Sequence, residues 1–140
     1  MRQKGLHDAM AMKSLEDLER AFDRGLNAWE REIVTKQAQK MGQKLVKSIE
    51  SKTPVITGNL RRRWSSEVKA GKGDVKIELK NDAEYAAWVN NGHRLVSHGK
   101  TIGKIDGRHM LERGIEEYRS RYLKDDLEGM VKALNGKMKG

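Results

Sequence analysis

A long amphipathic stretch near the start of the chain is the strongest constraint on its fold. Ser14 followed by Asp17 is a loose capping box, which predicts that a helix begins here. From residue 15 to residue 51, apolar side chains then recur at steps of three and four, as one face of a helix requires. These residues are Leu15, Leu18, Phe22, Leu26, Trp29, Ile33, Ala38, Met41, Leu45 and Ile49.

The end of this helix and its interruptions are marked by proline and glycine. Pro54 restricts the residue before it to extended geometry, so we expect the helix to end near Lys52. Unbroken from residue 15, it would measure about 55 Å, which is longer than a 140-residue globule. We therefore expect it to bend or to project, with Gly25 and Gly42 as the candidate positions of a bend.

After the proline, the hydrophobic pattern changes from the period of a helix to that of a strand. Residues 64–69 and 75–80 each alternate, and the turn residues Gly71-Lys72-Gly73-Asp74 separate them. This pattern predicts an antiparallel hairpin. Its second strand presents one apolar side, formed by Val75, Ile77 and Leu79.

A short helix and an irregular segment follow the hairpin. Asn81 and Asp82 are suited to cap a helix that runs through Tyr85, Trp88 and Val89, and Gly92 is suited to end it. We interpret residues 93–106 as a basic, flexible loop that contains one plausible strand near residues 101–105.

The chain closes with a second amphipathic helix. Its apolar stripe consists of Leu111, Ile115, Tyr118, Tyr122, Leu127, Met130 or Val131, and Leu134. We therefore predict an α+β fold, in which a small antiparallel sheet of three to four strands is flanked by a long N-terminal helix and a C-terminal helix. We expect residues 1–140 to form a single domain, with flexible ends at residues 1–13 and 135–140.

Composition excludes several classes of protein. Only 36% of residues are hydrophobic and seven are aromatic, so the core is thin for 140 residues, and we expect a partner surface to supply the rest. Without cysteine there is no disulfide framework and no thiolate metal site, which agrees with folding in a reducing cytoplasm. No stretch approaches the roughly 18 apolar residues of a membrane span. We expect a soluble protein without a membrane partner.

The net charge of +9 suggests contact with something acidic. Two places stand out: the run of three arginines at positions 61–63, which we place at the start of a strand, and the span 85–105, which has no acidic residue. Guanidinium groups suit carboxylates and phosphates, so a partner's carboxylates, DNA phosphates and a merely solvated strand edge all remain open. The candidate contact residues are Arg61, Arg62, Arg63, His93, Arg94, His98, Lys100 and Lys104.

Catalytic and metal-binding interpretations are weaker. His93, His98 and His109 lie close in sequence and their imidazoles suit a metal, but no helical His-x3-His pair or typical carboxylate spacing accompanies them. A ββα nuclease using Asn90, Asn91 and two of these histidines would need a different order of elements. We predict that His93 and His109 form hydrogen bonds with the backbone, and we predict no catalytic residue, no metal, no cofactor and no enzymatic activity.

The few aromatic residues and one turn have predicted structural roles. We expect Trp64, Tyr85 and Trp88 to anchor the short helix against the sheet. We predict that Thr57-Gly58 shapes the local backbone, because glycine permits positive φ and the threonine hydroxyl can form a hydrogen bond with a free backbone group.

Three short phrases occur in a fixed order and carry a family resemblance. They are Thr53-Pro54-Val55-Ile56-Thr57-Gly58-Asn59-Leu60-Arg61, then Tyr85-Ala86-Ala87-Trp88-Val89-Asn90-Asn91-Gly92-His93-Arg94, then Gly107-Arg108-His109-Met110-Leu111. Together they resemble the minor tail, or tail-completion, family of long-tailed bacteriophages, over roughly residues 45–120. Ile56 and Asn91 depart from that pattern, which has a polar or acidic residue and an aromatic residue at these positions.

The resemblance implies assembly rather than catalysis. It implies a homo-oligomeric ring, usually of six subunits, that completes the tail tube and docks to the head connector or stopper protein, with a central channel for DNA. It also implies location in the tail or neck of the virion, after synthesis in the host cytoplasm. A tail terminator and an adjacent neck ring remain open, as do flexible and contractile tails. The alternative from another class is a small basic protein that binds nucleic acid without sequence specificity.

Overall fold

The computed structural model describes residues 13–54, 58–83 and 85–139; side-chain surroundings within these ranges are not described for residues 58, 88, 93–97, 102, 103, 105 and 137–139. The elements confirm the α+β class. In chain order they are α1 (Leu15–Arg24), α2 (Ala28–Lys52), α3 (Gly58–Arg62), β1 (Trp64–Ala70), β2 (Val75–Asn81), α4 (Ala86–Asn91), β3 (Gly92–Ser97), β4 (Lys100–Asp106), α5 (Met110–Arg121) and α6 (Leu123–Lys139).

The start of α1 follows the predicted capping box. Ser14 Oγ accepts the Asp17 N–H at 3.3 Å, and the Asp17 carboxylate accepts the Lys13 N–H at 2.9 Å. These bonds lower the pKa of Asp17, chiefly through the Lys13 N–H. The predicted N-terminal cap of the first helix is therefore confirmed.

The long N-terminal helix is broken at Gly25, one of the two predicted positions, whereas Gly42 is buried inside the continuous α2. Gly25 has φ of 90°, a conformation that favours glycine. A second capping box restarts the helix: Asn27 Oδ1 accepts the Glu30 N–H at 2.8 Å, and Glu30 Oε1 accepts the Asn27 N–H at 3.0 Å. The predicted end near Lys52 is confirmed.

The chain divides into two compact units, each with its own buried residues; the prediction of a single domain stays a prediction. In the first unit, formed by residues 1–42, 67–78 and 121–140, α1 packs against α6. The turn of the β1–β2 hairpin meets the break between α1 and α2, where the Leu26 N–H donates to the Lys72 carbonyl at 2.5 Å. The buried apolar residues of this unit are Leu18, Ala21, Leu26, Val34, Ala38, Met41, Met130, Val131 and Leu134.

The second unit, formed by residues 43–66 and 79–120, has a core drawn from five segments. Buried side chains from the end of α2, from α3, β1, α4 and α5 meet there, and they are Ile49, Leu60, Trp64, Ala86 and Met110. Partly buried residues packed against them include Leu79, one of the three residues predicted on the apolar side of β2, and Val89.

The four strands lie in two separate two-stranded sheets rather than in one sheet. β1 and β2 form the predicted hairpin. The plausible strand near residues 101–105 is confirmed as β4, but the predicted flexible loop around it is wrong, because β3 pairs with β4 as a second antiparallel hairpin. Its turn consists of His98 and Gly99, with φ of 51° and 78°; two successive positive φ angles are typical of type I′ turns, which usually use Asn-Gly.

The predicted C-terminal helix is two helices, with a turn at Tyr122 between α5 and α6. The Tyr122 carbonyl accepts the Asp126 N–H at 2.9 Å and so starts the new helix. α6 continues to Lys139, so residues 135–139 are helical; of the other predicted flexible end, residues 1–12 lie outside the described ranges. None of the described helices combines the length and apolar character of a membrane span.

Candidate functional site

The three phrases singled out in the sequence meet in the core of the second unit. The first supplies Leu60, the second Ala86 and the third Met110; Leu60 and Met110 are 0% exposed. Trp64, directly after the first phrase, joins them. Packing in this core therefore explains why the phrases carry apolar side chains at these positions.

Thr53 links the end of α2 to this core through three hydrogen bonds. Its side chain is buried, and Oγ1 donates to the Ile49 carbonyl at 2.8 Å while accepting from Trp64 Nε1 at 2.9 Å. Its carbonyl accepts from Arg61 Nη2 at 2.9 Å. The Thr-Pro pair thus ends the helix and orients the buried indole.

The three arginines do not start a strand, because Arg61 and Arg62 belong to the short helix α3 and Arg63 to the turn after it. The prediction that they lie at the start of a strand is therefore wrong. Arg61 is partly buried and bound to the Thr53 carbonyl, so it stabilises the fold. Arg63 donates to Asp82 Oδ1 at 3.1 Å, and Arg62 is exposed.

Asn90 joins the second and third phrases. It is buried, its Oδ1 accepts the Leu111 N–H at 2.9 Å at the start of α5, and its Nδ2 donates to Glu112 Oε1 at 2.8 Å. The bond from Asn90 is the largest influence that lowers the pKa of Glu112. Gly107 lies against this segment, and a Cβ there would collide with the Asn90 carbonyl oxygen.

The β3–β4 hairpin carries three basic residues of the predicted contact set, Arg94, Lys100 and Lys104, and we call it the basic hairpin. Lys100 and Lys104 are exposed, and Lys104 Nζ lies 3.9 Å from Asp106 Oδ1. The strand register places Arg94 directly opposite Lys104. His98 is exposed at the turn, whereas the side chains of His93 and Arg94 lie outside the description.

A family whose description reads "Bacteriophage HK97-gp10, putative tail-component" matches residues 12–92. The chain belongs to this HK97-gp10-like family. The match contains the first phrase and most of the second, which confirms the resemblance, and it ends before the third. Comparisons with curated proteins and with solved structures give no match. The family places this chain among the tail components of bacteriophage virions.

In this HK97-gp10-like chain, His109 directly precedes α5. His109 is exposed, has φ of 49°, and its Nδ1 lies 3.5 Å from Glu112 Oε2. Within the described ranges, no group of three His, Cys, Asp or Glu residues could hold a metal ion. The absence of a metal, a cofactor and an enzymatic activity stays a prediction.

The prediction that the aromatic residues anchor the core has a different outcome for each of Trp64, Tyr85 and Trp88. Trp64 is a core anchor, as predicted. The same prediction for Tyr85 is wrong, because this residue lies in the turn before α4 and its side chain is 37% exposed. Trp88 belongs to α4, and its side chain lies outside the description.

The remaining phrase residues of this family member act mainly through the backbone. Gly58 begins α3, and Gly92, with φ of 80°, joins α4 to β3. The Arg108 N–H donates to the Val89 carbonyl at 2.8 Å. Pro54 lies two residues beyond the end of α2, and Thr57 lies outside the described ranges.

The sequence analysis did not predict the structural roles of three polar residues, Asn27, Glu30 and Asn90. Asn27 and Glu30 form a capping box with the expected spacing, two residues after Gly25, so this signal was available. Asn90 was weighed only as part of a nuclease motif, because its partners Leu111 and Glu112 lie more than twenty positions away.

Proposed function

We propose that this tail component is a structural protein that forms a homo-oligomeric ring of six subunits at the junction of head and tail. The ring completes the tail tube and joins it to the head connector or stopper protein, and DNA passes through its channel. The subunit is made in the host cytoplasm and ends in the neck of the virion. It needs no cofactor and performs no catalysis.

The observation that carries this proposal is the family match over residues 12–92. The packing gives a physical reason why a protein of this kind would keep such phrases. Leu60, Ala86 and Met110 build a core, and Asn90 and Gly107 join its segments. The phrases thus maintain a rigid shape, which an assembly subunit needs.

The surface supports association with partners. Tyr85 and Tyr122 are large side chains that remain 37% and 39% exposed, and tyrosine is enriched at protein interfaces. The net charge of +9 favours acidic partner surfaces and contact with the DNA in the channel. Because charge alone also supports a monomer that binds nucleic acid, the test has to separate the two functions.

A phage with a stop codon in place of the Trp64 codon tests the junction role directly. We expect electron micrographs of its lysate to show DNA-filled heads beside complete, unattached tails. Gold-labelled antibody against the chain should mark the neck of wild-type virions. Joined particles of normal number in the mutant would contradict the proposal.

The nucleic-acid alternative makes a different prediction. A monomer that works by charge should bind DNA with an affinity that falls steeply and linearly on a log-log plot against salt concentration. Its loss should leave heads unfilled rather than unattached. Filled heads together with free tails therefore favour the junction ring.

A further inference from the structure

The outer side of α1 is a row of carboxylates. Glu16, Glu19 and Asp23 are all exposed, and their spacing of three and four residues places them on one side of the helix. The opposite side, with Leu18 and Ala21, is buried in the first unit. We call the three carboxylates the acidic face.

The stability of α1 explains only one member of this face, Glu16, which stands in the first turn, where the partial positive charge of the helix end favours a carboxylate. Within the described part of the chain, none of the three carboxylates forms an ion pair, whereas their neighbour Asp17 binds Arg20 at 3.2 Å. Asp23 also stands in the last turn of α1, where the partial negative charge of the helix end disfavours a carboxylate. A partner of positive charge would remove both disadvantages.

The basic hairpin also carries more positive charge than its one described ion pair, between Lys104 and Asp106 at 3.9 Å, neutralises. Its register places Arg94 directly opposite Lys104, and like charges at directly opposed positions destabilise a two-stranded sheet. Lys100, near the turn, is exposed and has no ion pair within the described residues. A partner of negative charge would relieve this repulsion.

The two surfaces correspond in charge and in length. The acidic face extends about 10 Å along the helix axis, at 1.5 Å per residue. The step from Lys100 to Lys104 extends about 14 Å along the strand, at 3.4 Å per residue. We propose that the acidic face of one copy of this chain binds the basic hairpin of a neighbouring copy.

This contact uses a different surface on each side, so it repeats head to tail and closes into a ring when the rotation allows. The inference rests on the proposed ring and specifies the surfaces that hold it together. Because the contact is electrostatic and exposed, salt should weaken it.

Charge exchange between two variants tests the contact. The face variant carries Glu16→Lys, Glu19→Lys and Asp23→Lys, and the hairpin variant carries Lys100→Glu and Lys104→Glu. Each variant alone brings like charges together and should lose self-association by at least about tenfold. An equimolar mixture should restore assemblies in which the two variants alternate, measured by sedimentation with and without purified tail tubes.

A matched control separates this contact from the effect of net charge. The variant Lys40→Glu with Lys47→Glu changes the total charge as much as the hairpin variant does, at exposed positions of α2. It should assemble like the wild type. Thermal unfolding of each variant shows whether its fold is intact. Carbodiimide cross-linking tests the same contact without any mutation.

The cross-linking experiment uses wild-type chain in two isotopic forms, mixed and assembled on tail tubes. Carbodiimide joins a lysine directly to a carboxylate, so we expect Lys100 or Lys104 of one isotope joined to Glu19 or Asp23 of the other. Oligomers that form without these cross-links and survive both variants would overturn this inference while leaving the ring intact. A chain that stays monomeric even on tails would overturn the ring and this inference together.

Discussion

Gly114 lies against Ile49 so closely that the two helices carrying them meet almost backbone to backbone. A Cβ on Gly114 would lie 2.5 Å from Ile49 Cγ1 and 2.6 Å from Ile49 Cα. Beside this contact, Ser48 Oγ donates to the Gly114 carbonyl at 2.8 Å. The glycine is therefore required by the crossing of α2 and α5, and the following prediction depends on it.

Gly114→Ala should destabilise the protein by about 1–3 kcal/mol, because the helices must separate to admit the methyl group. Helix propensity alone would favour alanine by about 1 kcal/mol. Gly129→Ala, in α6, is the matched control: its methyl group meets nothing within 4 Å, so this change should stabilise. Urea unfolding measures both. Equal stabilisation by the two changes would contradict the close crossing.

Thr53→Val should destabilise by about 1–3 kcal/mol, since it leaves the buried Trp64 indole N–H without its acceptor. Thr35→Val is the control, because the Thr35 hydroxyl also donates to a carbonyl four residues earlier, that of Arg31, at 2.6 Å. It should cost less. Combining Thr53→Val with Trp64→Phe should cost less than the sum of the two changes; strict additivity would show that the bond contributes nothing.

The Glu30 carboxylate should make stability depend on acid pH. Burial is the largest influence on its pKa and acts to raise it, but the Arg24 guanidinium, the Asn27 N–H and the charge of Arg24 together lower the pKa. A lowered folded pKa means that the contribution is complete above the unfolded value of about 4.3. It is lost as pH falls through the folded pKa.

Glu30→Gln should therefore destabilise the protein at pH 7 and reduce the fall in melting temperature between pH 5 and about pH 2. Calorimetry across this range measures both effects. Glu32→Gln is the control, because this exposed residue pairs with Lys36 across 3.4 Å on the surface of α2. A parallel acid slope in Glu30→Gln and the wild type would show that the Arg24–Glu30 pair does not carry the effect.

Asn90→Asp should destabilise at neutral pH, because it replaces a donor by a carboxylate about as far from Glu112 Oε1 as the present 2.8 Å bond. The loss should shrink as pH falls toward 4 and one carboxylate becomes protonated. Asn91→Asp is the control, since Asn91 Oδ1 already accepts from Asn90 Nδ2 at 3.0 Å. If both variants lose the same stability at pH 7, the repulsion with Glu112 is absent.

Periodicity predicted the elements whose energetics are local or repetitive. The apolar stripe of α2, its end before Pro54 and the β1–β2 hairpin each depend on many residues of one pattern. Trp64 was correctly assigned to the core on hydrophobicity alone. The exposure of Tyr85 was not predicted, because it depends on the backbone conformation of the turn before a six-residue helix.

The wrong predictions concern elements too short to show a period and residues whose partners are distant in sequence. α3 has five residues, too few for a helical period, so its arginines were assigned to a strand. β3 was missed because the turn after it is formed by His98-Gly99 and not by the Asn-Gly or Asp-Gly pair that usually signals such a turn. The roles of Arg61 and Asn90 depend on partners distant in sequence, Thr53 and Leu111, which pattern analysis does not reveal.

The bonds of Asn90 also restrict recombination between related phage genes. The family match ends at residue 92, but Asn90 is completed only by the helix start at Leu111, and its close neighbour is Gly107. A chimera joined at residue 92 would combine Asn90 from one parent chain with the residues at positions 107 and 111 from another. A chimera joined at Tyr122, between α5 and α6, would keep Asn90, Gly107 and Leu111 together from one parent chain.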